Sequence, residues 1–475
     1  MPLSTSTPPT AVHGNEFSYF VPKPPVGGGA VVKPVPVSVL PATGSSSNKP
    51  RYRQPAKFLD NNYAQVTKVP GQAGTLKSRQ KISRVDVVRA ALECGYGRRN
   101  VWTPSLALNP IDAADLARHL LRRLEMVSSC VDDDNGDAKV MKPFIKSVEA
   151  TEKTSISFVL GSLGAHFAAR LWVAGWGDVL DAMLHVGIYA KATLVATPLV
   201  NFKPSGGKWP DFLVHTKGGR WHIFESKGGS YAKRHARIVE GLAQLAQPPL
   251  ISWTVGSPSP ATSCVCVHTS TDSKARLKFT AVDPPGDALS LGELPPVKLI
   301  GAVCDLLLVL ETIDQFRALT AIQVDPFNLP ESDWVEAEST AFGGLTLSIP
   351  TRFLVHEGAI RARVATFLAI REVYDSPIFW TGEVKLRPPL NVAIENVLAA
   401  QISAEDRNQY GWEWLDTESP SFLEQCSERL GLDILAAKVA RNDSDITHPE
   451  PMGQTADFTA SDLFIEENPR LLNRE

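Results

Sequence analysis

PDFLVHTKGGRWHIFESKG, residues 210–228, is the stretch on which the reading of this chain turns. Two apolar runs flank Lys217-Gly218-Gly219, and glycine is the expected punctuation of a three-residue hairpin turn. With Thr216 facing Arg220, the register runs outward to place Asp211 opposite Glu225. Like charges in facing positions destabilise a bare sheet, so a divalent cation between them is the simplest compensation. Side chains alternate along a strand, so Glu225 and Lys227 leave one face while Ser226 leaves the other. Two carboxylates and a lysine therefore converge over one patch of sheet.

Hard oxygen ligands of this kind suit Mg²⁺ or Mn²⁺ rather than zinc, and the Ser226 backbone carbonyl supplies a further oxygen. Such an ion polarises a phosphodiester and acidifies a water, while Lys227 orients that water or stabilises developing charge. The plainer alternative makes Asp211 a turn cap after Pro210, with Glu225 and Lys227 a solvated same-face pair.

The surroundings bear on that choice. Residues 154–173 read as a largely buried helix, 192–202 (ATLVATPLVNF) as a strand, then the hairpin, then a basic helix from 231 to about 246. ISWTV at 251–255 and SCVCVH at 263–268 read as further strands. The order helix, strand, strand, strand, helix, strand predicts a mixed α/β core. On the basic helix, Lys233, Arg237 and Gln244 share one stripe, and Ile238, Leu242 and Leu245 form the apolar face. Residues 201–240 hold eight Lys/Arg against three acids, and two of those acids are the proposed metal ligands. Phosphate contacts from such a surface, Lys208 and Arg234 included, position a nucleic-acid backbone without reading its sequence.

Pro210-Asp211, a thirteen-residue gap and Glu225-Ser226-Lys227 resemble the signature of the PD-(D/E)XK nuclease superfamily, over roughly residues 150–270. The resemblance implies a restriction-endonuclease-like mixed-sheet core. It also implies Asp211 and Glu225 as ligands of Mg²⁺ or Mn²⁺, Lys227 as assistant to the attacking water, and a basic residue or Gln of the following helix near the scissile phosphate. Members often carry an additional acid on the first core helix. Residues 154–174 contain none, and Glu152 is the nearest candidate. The expectation is a metal-dependent nuclease acting on DNA, with RNA left open. It would work with a protein partner or as a homo-oligomer, within a multi-component bacterial defence or DNA-processing system. The competing reading is a catalytically silent nucleic-acid-binding or scaffold subunit.

The rest of the chain of 475 residues carries less chemistry. Residues 1–82, rich in Pro, Gly, Ser and Thr, read as a disordered basic arm, and 83–150 as a helical region entered at Ser83 and at Asn109-Pro110. DDDNGD at 132–137 reads as a loop lacking the full ligand spacing of a calcium site. A nuclease-like domain at 151–290 is followed by a C-terminal α+β domain at 295–440 and an acidic, poorly ordered tail at 441–475. Six cysteines and no secretory signal predict a reducing, cytoplasmic setting; Cys264, Cys266 and His268 share one face of a strand and read as buried rather than as zinc ligands. The longest apolar run, 297–313, is broken by Asp305 and reads as a core helix rather than a membrane span.

Overall fold

The hairpin of residues 210–228 lies inside a larger mixed sheet. The structure, a computed structural model, describes residues 14–23, 58–97, 110–189, 209–245, 258–284, 298–324, 329–358 and 452–468, with breaks of one to three residues, and a few short strands and isolated positions outside these ranges. Along the chain, β1 (Asn15–Pro22) precedes α1 (Phe58–Asn62) and β2 (Tyr63–Val66). Helix α2 (Arg84–Glu93) starts at a capping box, in which the Ser83 hydroxyl accepts from the Asp86 amide and the Asp86 carboxylate accepts from the Ser83 amide. Helix α3 (Pro110–Cys130) opens on proline and runs into the hairpin β3 (Val131–Asp134) and β4 (Ala138–Met141). The core helix α4 (Ala150–Gly175) leads to β5 (Leu180–His185), β6 (Phe212–Thr216), β7 (Trp221–Gly229), α5 (Arg234–Leu245), β8 (Ser263–Ser270) and β9 (Lys278–Val282). The later elements are α6 (Lys298–Thr320), β10 (Trp334–Glu338), β11 (Leu345–Pro350), β12 (Ala456–Phe458) and β13 (Phe464–Glu467).

The central sheet runs in the order β2-β1-β9-β8-β7-β6-β5. Strands β5, β6 and β7 form an antiparallel meander, and β8 lies parallel to β7 after the α5 crossover. The hairpin has the register read from its turn: Phe212 faces Phe224, His215 faces Trp221, and the Thr216 amide donates to the Arg220 carbonyl. Both faces of β7 are covered. An added Cβ at Gly228 would lie 1.9 Å from the Ser157 carbonyl of α4, so that helix rests directly on the strand. On the other side, a Cβ at Gly241 of α5 would meet Cys266 at 2.4 Å and Glu225 at 3.2 Å. Odd positions of β7 thus look toward α5 and even positions toward α4. By length and composition α4 could cross a membrane, but its apolar window is 72% buried inside the fold, which makes it the core helix the sequence predicted.

Several boundaries differ from the sequence reading. The first strand of the meander is β5, whereas 192–202 contributes only short strands outside the central sheet, of which Val200–Lys203 pairs with Leu250–Trp253. Part of the arm read as disordered is built into the fold. Its residues 15–22 form β1, parallel to β9, because Phe17 and Tyr19 alternate into the core. In the acidic segment, residues 132–134 form a hairpin strand rather than a loop, and 135–137 lie outside the described residues; Asp133 pairs with Arg84 and Lys139, and Asp134 with Arg276. The described elements after residue 295 share one continuous apolar cluster with α2, α3 and α4. Most of the helix expected at 357–375 lies outside the described residues.

The tail differs most. Strands β12 and β13 extend a four-stranded sheet, β10-β11-β13-β12, and carry Asp457 into a buried charge network. Asp457 receives Arg89 at 2.8 Å and Arg170 at 3.2 Å, while Arg170 also reaches Asp86 and Arg89 reaches Glu93, both at 2.8 Å. His166 completes the group at 3.0 Å from Glu93. An acid-rich tail looks solvated in sequence, but this acid is a carboxylate shared by two buried guanidiniums that also pair with Glu93 and Asp86. Breaking a buried pair typically costs about 3–5 kcal/mol, and the carboxylates that remain set this as the upper end of the range for Asp457. Asp457→Ala is therefore expected to lower stability by up to that amount in urea unfolding. Asp115→Ala, which breaks an exposed pair with Arg118, should change it little.

Candidate active site

The site grows out of the hairpin's open end. Asp211 stands just before β6 and Glu225 in the middle of β7, and the backbone ties them together. The Asp211 amide donates to Glu225 Oε2 at 3.1 Å, and the Ser226 amide donates to Asp211 Oδ2 at 2.8 Å. Each carboxylate is thus held by the strand that carries the other. Lys227, two residues on from Glu225 and on the same face, donates from Nζ to Glu225 Oε1 and, at 2.7 Å, to Gln244 Oε1 of α5. The bulk of α5 stays on the sheet through Ile238, Leu242 and Leu245, all buried as the amphipathic pattern required.

The electrostatics follow from burial. Glu225 is fully buried, and desolvation, reinforced by the neighbouring Asp211, raises its carboxyl to about 7 against the pull of Lys227. Burial likewise raises the Asp211 carboxyl above its ordinary value, partly offset by Lys227 and by the Ser226 amide. For Lys227 burial acts downward, but the two carboxylates outweigh it and raise the ammonium above its ordinary value. Two acids share one ammonium, so full ionisation leaves a net negative charge in a poorly solvated place. A further cation would hold both carboxylates ionised.

The donor chemistry fits Mg²⁺ or Mn²⁺: the side-chain ligands at hand are hard carboxylate oxygens. Among the described residues no cluster of three or more His, Cys, Asp and Glu side chains is placed to hold a metal, so backbone carbonyl and water would complete the shell. Mg²⁺ commonly keeps several waters in such sites.

Beside the acids opens a cleft of about 440 Å³, reached by Lys153 and Phe158 of α4, Asp211, Lys227, and Lys233 and Arg237 at the start of α5. Glu225 lies beneath it, behind Lys227. Among the residues expected from sequence, Lys233 and Arg237 border the cleft and Gln244 positions Lys227. Arg234 instead lays its guanidinium 4.0 Å over the Tyr231 ring. Ser226 meets Asp211 through its N–H. Glu152 is exposed on the first turn of α4 and does not line the cleft, so the additional acid is not found there. Lys208 lies outside the described residues.

Of the three residues read as buried on one strand face, Cys266 and His268 are buried in β8, whereas Cys264 is half-buried. His215 bonds Asp181 and His222 bonds Ser263, each at 2.8 Å. Sequence reasoning passed over Lys153 and Phe158. The available signal was helical spacing, since Lys153 and Ser157, and Thr154 and Phe158, each stand four apart on α4, with Ser157 hydrogen-bonded to Thr271 at the cleft wall. No protein-family model, curated protein or solved structure matches this chain.

The raised Glu225 carboxyl fixes a sign for pH dependence. The folded chain holds this proton up to about pH 7, whereas the unfolded chain releases it near the ordinary glutamate value of 4.5. Its contribution to stability is therefore complete below about 4.5 and is lost as pH rises through 7. Urea unfolding in EDTA at a series of pH values should show that decline, and Glu225→Gln should flatten it.

Proposed function

We propose that this protein is a Mg²⁺- or Mn²⁺-dependent nuclease of the PD-(D/E)XK type that hydrolyses phosphodiester bonds in DNA. The observation that carries this reading is that Asp211, Glu225 and Lys227 come together at the open end of a hairpin, linked by hydrogen bonds, at the edge of a cation-lined cleft. The order α4-β5-β6-β7-α5-β8, an antiparallel meander followed by a crossover to a parallel strand, supports a restriction-endonuclease-like core.

Asp211 and Glu225 would hold the ion, with the backbone amides of the facing strands keeping their carboxylates aligned. When bound, the ion would polarise the phosphodiester and acidify a water. Lys227 keeps its proton between the two acids and donates toward the attacking water or the charge that develops on phosphorus-bound oxygens. Gln244 accepts from the same ammonium and so fixes its direction. Lys233 and Arg237, exposed at the cleft edge, would bind flanking phosphates without reading bases. One observation favours a silent binding subunit instead: Glu225 is wholly buried, which leaves Asp211 as the one acid lining the cleft among the described residues.

Plasmid and linear DNA incubated with Mg²⁺, Mn²⁺ or EDTA separate the two. Cleavage should require the metal and fall by about 10²–10⁴-fold in Asp211→Ala and in Lys227→Ala, the range for loss of a positioned catalytic or charge-stabilising group. Cleavage that survives either substitution would rule this site out; DNA retention without cleavage, unchanged in both, would establish the silent subunit. Metal binding must also displace the Glu225 proton. The rise in melting temperature on adding Mg²⁺ should therefore be larger at pH 8 than at pH 6, and vanish in Asp211→Ala.

A further inference from the structure

The two walls of the cleft are chemically unlike. Lys227, Lys233 and Arg237 come from the end of β7 and the start of α5. The wall beside α4 carries an apolar strip of Met141, Ile145, Ile156 and Phe158, with Lys153, Thr154 and Ser157 of the same helix beside it. This sidedness follows from the fold, because α4 and α5 cover opposite faces of β7 and the cleft opens where the strand ends. Phe158 is the conspicuous member of the apolar strip. Its side chain is 63% exposed, although water-exposed aromatic surface is unfavourable unless something covers it.

A duplex turns its sugar-phosphate surface outward and keeps its bases stacked inside, so it offers an apolar strip nothing to cover. An unpaired strand presents phosphates along one edge and aromatic base faces along the other. Cationic grooves combined with aromatic platforms are how single strands are held without sequence preference. The cleft's volume of about 440 Å³ matches a small-ligand pocket, with room for a nucleotide-sized group between the walls. We infer that this cleft takes an unpaired nucleic-acid strand rather than a duplex, with a base stacked on Phe158 and the adjoining phosphates on Lys227, Lys233 and Arg237. Lys153, at the first turns of α4, would meet the next phosphate along the strand. The inference rests on the nuclease reading for the identity of the ligand, and it adds the structural state of the substrate.

Fluorescence anisotropy with the full chain in EDTA, where hydrolysis does not compete, tests this directly. Probes are labelled oligo(dT), the same strand annealed to oligo(dA), and oligo(U). Oligo(dT) or oligo(U) should bind about tenfold or more tightly than the duplex, and competition between these two strands separates DNA from RNA. Phe158→Ala should remove most of the advantage with little effect on duplex binding, while Phe158→Trp should keep it. Phe158 is exposed, so neither change should disturb folding, and a melting curve checks this. Equal or tighter duplex binding overturns the inference, as does an equal loss for all probes in Phe158→Ala. The two readings fail separately. Metal-dependent, Asp211-dependent cutting of duplex without strand preference keeps the nuclease and discards the unpaired strand. Strand preference without any cleavage does the reverse.

Discussion

Two backbone hydrogen bonds between neighbouring strands underlie everything at this site: the Asp211 amide to Glu225, and the Ser226 amide to Asp211. They satisfy both carboxylates from the protein's own main chain and fix their separation before any ligand arrives. They exist only in one register. A slip of one residue in β7 would send Glu225 and Lys227 to the α4 face and bring Ser226 beneath α5. The glycines prevent that slip, since α4 and α5 approach β7 so closely that only the observed sequence of small and large side chains fits. Packing of the two helices and chemistry of the two acids are thus a single constraint.

What the sequence made legible was local. Turn length set the hairpin register, alternation set which side chains share a face, and helical period set Gln244 on the side of α5 that reaches Lys227. What it hid was decided at long range. Residues 192–202 have the better β-branched composition, yet β5, which carries Asp181 and His185, is the strand that pairs with β6. Strand propensity is weak against tertiary pairing. Strand β1 went unrecognised because one short alternating segment sits amid Pro- and Gly-rich sequence, and its partner β9 is 262 residues away, as the Asn15 contact to Leu277 shows.

The candidate site was legible for a related reason. Its three charged residues lie within a single hairpin, so their convergence needed no knowledge of the remaining fold. The cleft beside them was not, because its apolar strip is assembled from β4, the turn after it and α4, none of which announces a site alone. Glu152 illustrates the limit: one position along α4 separates an exposed carboxylate from Lys153, which borders the cleft.

Asp457 has a consequence for how the protein is made. Its partners Arg89 and Arg170 lie 368 and 287 residues earlier in the chain. Translation proceeds from the N-terminus, so both arginines leave the ribosome long before their shared counter-ion. Until then α2 and α4 can already meet through Arg170 and Asp86, with Glu93 beside Arg89, and Asp457 adds a carboxylate that both guanidiniums share. The contact that closes this charged layer is therefore made after the rest of it.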